Sequence, residues 1–197
     1  ENLILSGELE PTNEGYALAK IFTTRLCQYL MREKDDFKYK TLIPCNLYGP
    51  NDKFDPKRSH AIASIIHKIY KAKENNEEII EIWGDGKARR EFMFVDDLAD
   101  CIVEGIKRFD DLPNLMNCGL GKDFTINKYY EVVAKSLNWN GSFVHNKKKP
   151  VGMKQKKVCT KILKKFGWQY KTSLEDGIKK TISYYKNMIK NNGRIIR

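Results

Sequence analysis

Residues 13–50 read NEGYALAKIFTTRLCQYLMREKDDFKYKTLIPCNLYGP, which joins a helical pattern to a short apolar strand. From Asn13 to Arg32 the apolar side chains recur at spacings of three and four residues, as on the buried face of a helix. Residues 39–47 are then predicted to form a buried strand that ends at a Gly-Pro turn. A helix followed by a buried strand indicates an α/β fold.

The rest of the chain continues this alternation without a repeat or a low-complexity linker, so we expect one interleaved body. Asp96 and Asp97 are expected to cap the third helix, and Thr125 the fourth. Further helices are predicted near residues 60–72, 96–109, 125–137 and 173–188, and further strands at residues 78–83, 90–94, 115–119 and 142–145.

Composition narrows the class of protein. The 197 residues are 41% hydrophobic, which is enough for a core, and no run reaches the roughly 18 apolar residues that cross a bilayer. The five cysteines are widely spaced without a C-x-x-C pair, so neither a disulfide framework nor a metal site is indicated, and a cytoplasmic location fits best. Because the chain starts at Glu1 without methionine, we expect this residue to lie inside a longer reading frame.

The net charge of +11 is concentrated at the end of the chain. From Asn146 onward, sixteen Lys and Arg residues face only Glu175 and Asp176. Aromatic residues between the lysines can mark a nucleic-acid surface. The lysines follow helical spacing, however, so a solvated helix face is favoured and no nucleic-acid partner is expected.

Tyr16 and Lys20 form a Y-x-x-x-K motif, whose spacing brings both side chains to one face of a helix. Hydride addition to a carbonyl leaves an alkoxide that needs a proton, and a tyrosine beside a cation suits that task. Taken alone, the motif is weak, because a tyrosine and a lysine at this spacing are usually a half-buried aromatic residue and a solvated cation.

Several short motifs follow one another in a characteristic order. Together they resemble the GDP-L-fucose synthase family of extended short-chain dehydrogenase/reductases, from Glu1 to about Lys186. The motifs are Glu10–Lys20, Pro44–Pro50, Ser59–His60, Trp83–Gly86 and Arg90–Asp97.

The resemblance implies the C-terminal part of a Rossmann-like α/β fold with a smaller α/β substrate-binding domain. Residues 1–55 would be a remnant of the NADP-binding Rossmann domain. Residues 56–197 would mainly form the substrate-binding domain, with about 91–110 returning to the Rossmann part. The glycine-rich phosphate loop of the family has no counterpart here, and Gly119-Leu120-Gly121 is expected to be a tight turn.

The resemblance also implies an activity. NADPH-dependent members invert C3 and C5 of GDP-4-keto-6-deoxy-D-mannose and then reduce C4, which gives GDP-L-fucose. Tyr16 matches the proton donor to C4, Lys20 the residue that binds the nicotinamide ribose, and His60 the acid/base of epimerisation. The residues matching cofactor-binding positions are Lys20, Pro44, Cys45, Asn46, Leu47 and His60, and those matching substrate-binding positions are Lys68, Trp83 and Arg90.

The chain also departs from the family pattern. Val151 stands where the family has an acidic residue that meets the GDP-sugar, and the serine and cysteine that assist Tyr16 and His60 cannot be identified. Two alternatives therefore stay open: a reductase without epimerase activity that acts on another GDP-4-keto-6-deoxy sugar, and an inactive nucleotide-sugar-binding or interaction domain. The family further implies a homodimer in the complete enzyme.

Overall fold

The computed structural model describes residues 4–55 and 58–192 and confirms the alternation of helices and strands. A short 3-10 turn, Pro11–Asn13, leads into the first helix. The helices are α1 (Glu14–Glu33), α2 (Ala61–Glu74), α3 (Val95–Lys107), α4 (Ile126–Leu137), α5 (Lys161–Phe166) and α6 (Leu174–Asn192). The strands are β1 (Thr41–Pro44), β2 (Asn46–Tyr48), β3 (Ile79–Trp83), β4 (Arg89–Arg90), β5 (Phe92–Phe94), β6 (Leu115–Cys118), β7 (Phe124–Thr125), β8 (Ser142–Asn146) and β9 (Gln155–Lys156).

Three strand pairs are parallel: β1 with β6, β2 with β5, and β3 with β8. Strand β4 lies between β7 and β9, antiparallel to the first and parallel to the second. Parallel pairing requires crossover connections, which the helices between the strands supply. The pairing therefore agrees with the α/β prediction.

Two predicted strands are each divided by one residue, Cys45 in the first and Glu91 in the second. The backbone N–H of Cys45 donates to the carbonyl of Cys118 at 2.9 Å, which ends the pairing of β1 with β6. The side-chain amide of Asn46 then donates to the carbonyl of Glu91 at 2.8 Å, where β2 begins to pair with β5. The chain thus changes its partner strand at Cys45.

The buried residues form two clusters. The larger one joins α2, β3, α4 and α6 and includes Ile66, Tyr129 and Tyr185, all almost inaccessible to solvent. The second surrounds Met93 and Met116 and takes in α5. The division into residues 1–55 and 56–197 stays a prediction.

The expected buried face of α1 is wrong. Tyr16 is 63% exposed, Phe22 67% and Leu26 44%, and Thr24 is the one buried residue of this helix. Hydrophobic periodicity predicts which residues share a face of a helix, but it does not predict which element packs against that face. Across the described ranges, no element buries these side chains.

The helix caps follow the prediction only in part. The Thr125 hydroxyl oxygen accepts from the N–H of Lys128 at 3.1 Å, as expected. In helix α3, however, the N-cap residue is Phe94. The Asp97 carboxylate instead accepts from the N–H groups of Lys171 (3.1 Å) and Thr172 (3.2 Å). No helix in the part of the chain that the structure describes has the length and apolar character needed to cross a bilayer.

Candidate functional site

A pocket of about 680 Å³ opens between α2, the end of β3, the start of α4 and the loop after β8. It brings together two of the three predicted substrate residues, Lys68 and Trp83, together with Val151. Arg90 lies next to this group without lining the pocket. The wall of the pocket also includes His67, Lys71 and Glu77.

Lys68 is held at the pocket wall by a hydrogen bond from its Nζ to the carbonyl oxygen of Glu81 on β3. Burial lowers the pKa of the Lys68 ammonium, and the Glu81 carboxylate opposes that shift. A partly desolvated ammonium next to an open pocket attracts an anionic ligand more strongly than a fully hydrated one.

Trp83 ends β3 with its indole 55% exposed. The Nζ of Lys149 lies 5.3 Å from the centroid of this ring, which is a cation–π distance. An exposed aromatic face beside a cation is suited to a ligand that combines a flat or apolar ring with phosphate groups.

Arg90 and its neighbour Arg89 differ in the groups that their guanidinium ions contact. The Arg89 guanidinium forms a salt bridge of 2.9 Å with Asp123, whereas Arg90 donates to the carbonyl of Arg89 at 2.8 Å. Its Nη2 lies 3.6 Å from the point where a Cβ on Gly152 would sit. No carboxylate pairs with Arg90 in the described residues, so its charge is available beside the Val151 loop.

Val151 reaches into the same region by packing against Gly84. Gly84 has a φ of +71°, and any side chain there would collide with Val151. The residue that departs from the family pattern therefore faces the pocket together with Trp83.

Tyr16 and Lys20 lie on one face of α1, as their spacing predicts. The Lys20 Nζ is 5.4 Å from the centroid of the Tyr16 ring. Both side chains are exposed, and neither lines the pocket.

His60 precedes the first residue of α2 and is 75% exposed, and it likewise does not line the pocket. Its Nδ1 lies 3.1 Å from Oδ1 of Asp52, whose side chain is only 11% exposed. A carboxylate at this distance orients the imidazole ring through its Nδ1. Asp52 was not among the predicted site residues, and its place eight residues before the histidine was the available signal.

Within the predicted cofactor stretch, Pro44 is exposed at the C-terminal end of β1, Asn46 and Leu47 are half-buried, and Cys45 is buried. Burial raises the pKa of the Cys45 thiol to about 12, so the thiol stays neutral. A ligand at this end of β1 would meet Pro44 and backbone atoms rather than the sulfur.

Glu91 is a residue that sequence reasoning missed. It is fully buried, and both carboxylate oxygens accept from backbone N–H groups. Oε1 accepts from Leu120 (2.6 Å) and Gly121 (2.8 Å), and Oε2 accepts from Val158 (2.7 Å). The amides of Leu120 and Gly121 are thus already occupied by Glu91 and are not free to bind a phosphate.

Comparison with known proteins identifies the family to which the chain belongs. The chain matches the NAD dependent epimerase/dehydratase family over residues 1–119 and belongs to that family. It is 54% identical over 187 residues to the GDP-L-colitose synthase of Yersinia pseudotuberculosis, covering 95% of this chain and 61% of that protein. It is 47% identical over 182 residues to the GDP-L-fucose synthase of Azorhizobium caulinodans, covering 92% of this chain and 58% of the relative.

Among solved structures, the GDP-mannoheptose C4 reductase of Campylobacter jejuni with NADP bound superposes with a TM-score of 0.81 at 27% identity. The match covers 92% of this chain and 62% of that one. The fold is therefore confirmed as the extended short-chain dehydrogenase/reductase type, and the resemblance seen in the sequence is confirmed as well. The chain spans about three fifths of the length of the curated relatives it matches.

Proposed function

We propose that this chain carries the substrate pocket and part of the catalytic machinery of an NADPH-dependent enzyme for GDP-4-keto-6-deoxy sugars. The reaction that we assign is 3,5-epimerisation and 4-reduction of GDP-4-keto-6-deoxy-D-mannose to GDP-L-fucose. One observation carries the proposal: Lys68 and Trp83 line a single pocket, and Arg90 adjoins it.

In this pocket, Lys68 and Arg90 would bind the diphosphate, because each supplies a cation that forms no salt bridge with a carboxylate in the described ranges. Trp83 would pack its exposed indole on the sugar or the base. GDP is then bound mainly by groups within this chain, and the reacting sugar extends from the pocket.

For the reduction, Tyr16 would donate its phenolic proton to the oxygen that forms at C4, and the Lys20 ammonium beside it would stabilise the phenolate that remains. Pro44 is exposed at the carboxyl end of the parallel strand β1. Because α/β proteins bind ligands at this end of their strands, the position fits a nicotinamide cofactor. NADPH supplies the hydride when it is bound.

For the epimerisation, His60 would exchange protons at C3 and C5, which the neighbouring C4 carbonyl makes acidic. Its exposed ring is accessible to a substrate, and Asp52 holds it through Nδ1, so Nε2 is left to exchange the proton. Asp52 is therefore proposed as the residue that orients His60.

The main alternative is a related reductase with a different 4-keto sugar. It is supported by Val151, because an apolar pocket residue accepts no hydrogen bond from a sugar hydroxyl, and by the 54% identity to a GDP-L-colitose synthase. An inactive nucleotide-sugar-binding domain is a further alternative, supported by the high exposure of Tyr16. We also propose a homodimer, for which the exposed apolar side chains of α1 provide a surface.

The test is product analysis. The full chain as encoded in its genome is incubated with GDP-4-keto-6-deoxy-D-mannose and NADPH, and the product is identified by NMR. GDP-L-fucose supports the proposal. A sugar reduced at C4 without inversion at C3 and C5 supports the reductase alternative, and binding without turnover supports the inactive domain.

A further inference from the structure

His67 lies in the wall of the pocket, although it belongs to none of the sequence motifs. It precedes Lys68 on α2, and Lys71 follows one helical turn later in the same wall. The Nδ1 of His67 is 2.7 Å from the hydroxyl oxygen of Tyr185 on α6. Within residues 4–55 and 58–192, Nε2 has no hydrogen-bond partner, so one ring nitrogen is held and the other is available to a ligand.

Burial and a nearby positive charge favour the neutral form of the ring in the unliganded protein. Burial and the nearby Lys71 ammonium lower the pKa of His67, and Asp55, from the segment before α2, opposes them. The group facing it from α6 is the Tyr185 hydroxyl, whose pKa burial raises to about 12, so this group is neutral too. The one acidic side chain among the pocket-lining residues described is Glu77.

We infer that His67 takes up a proton when the diphosphate of a GDP-linked sugar enters the pocket, and that the affinity for such ligands therefore increases as the pH falls. The inference rests on the proposed GDP-sugar site. Two negative charges beside the imidazole favour its protonated form. The charged ring donates from both nitrogens, through Nδ1 to the Tyr185 oxygen and through Nε2 to a phosphate oxygen. A group that gains a proton on binding makes the affinity depend on pH in this direction.

The experiment is calorimetric titration of the full chain with GDP-mannose, whose diphosphate is esterified at both ends and does not titrate near neutral pH. The wild-type protein should bind GDP-mannose several-fold more tightly at pH 5.5 than at pH 7.5, because a rise of about one unit in the His67 pKa on binding sets an upper limit of about tenfold on this ratio. At pH 6.5, titrations in two buffers of different ionisation enthalpy should show net proton uptake.

Variants separate a proton-binding role from a structural one. His67→Gln should remove both the pH dependence and the proton uptake, whereas His145→Gln, on the exposed side of β8, should keep both. His67→Lys, which stays charged, should bind at pH 7.5 about as tightly as the wild type does at pH 5.5. An unchanged pH response in His67→Gln would overturn the role of His67 alone. Failure of every variant to bind at any pH would also overturn the pocket assignment.

Discussion

The Nζ of Lys20 lies 5.4 Å from the centre of the Tyr16 ring, one turn further along α1. If this ammonium stabilises the phenolate that remains after proton donation, Lys20→Met should lower the rate of NADPH-dependent reduction, and Lys20→Arg should restore part of it because the charge returns. Steady-state kinetics of the full chain measure this. The matched control is Lys38→Met, which removes an exposed lysine from the segment after α1. Equal rates for Lys20→Met and the control would contradict the role of Lys20.

Arg90 should matter for GDP binding and Lys87 should not, although both are basic and only three residues apart. Arg90 adjoins the pocket, whereas Lys87 is exposed and does not line it. We expect Arg90→Ala to reduce the increase in Tm caused by GDP, and Lys87→Ala to leave it unchanged. Identical GDP-induced shifts in both variants would remove Arg90 from the site.

A polypeptide limited to residues 1–197 should bind GDP more tightly than NADPH. The pocket residues lie within these residues, but the amides of Leu120 and Gly121 are not free for a pyrophosphate, because Glu91 occupies them. Calorimetric titration with the two nucleotides compares them directly. Micromolar affinity for NADPH would show that the cofactor is held by groups that this account does not recognise.

Glu91 should be important for stability. Glu91→Gln replaces one acceptor oxygen by an amide group that cannot accept from a backbone N–H, so one buried donor is left unpaired at a cost of about 1–3 kcal/mol. Glu131→Gln, in which an exposed acid with a weak ion pair is changed in the same way, should cost less than about 0.5 kcal/mol. Urea denaturation of both variants measures the free energy of unfolding. Similar losses would mean that the buried carboxylate has no special role.

Features of the fold that depend on residues close together in the sequence could be predicted, whereas features that depend on tertiary packing could not. The limits of α1 and the cap at Thr125 depend on neighbouring residues, and both were predicted closely. Helix α5 was missed because six residues are too few to show helical periodicity. The exposure of α1 was missed because a periodic pattern does not identify the surface that covers it.

The candidate site also depends on contacts between residues that are distant in the sequence, and these contacts could not be predicted. Lys68 and Trp83 were assigned through the family resemblance, but their meeting in one pocket with Val151 depends on the pairing of β3 with β8. Glu91 binds amides 29 and 67 residues further along the chain, and no local pattern indicates such contacts. His67 is a pocket residue only because of where α2 packs.

Tyr16 and His60 are proposed to act in different steps, Tyr16 in reduction and His60 in epimerisation. Measuring proton exchange and reduction separately in the same variants distinguishes these two roles. The full chain is incubated with GDP-4-keto-6-deoxy-D-mannose in deuterated water, with NADPH oxidation followed by absorbance and deuterium at C3 and C5 by NMR. Tyr16→Phe should lose reduction by about 10²–10⁴-fold and keep the exchange, whereas His60→Gln should lose the exchange and keep some reduction to an unepimerised product. Equal loss of both activities in both variants, or loss of neither, would show that Tyr16 and His60 do not have these separate roles.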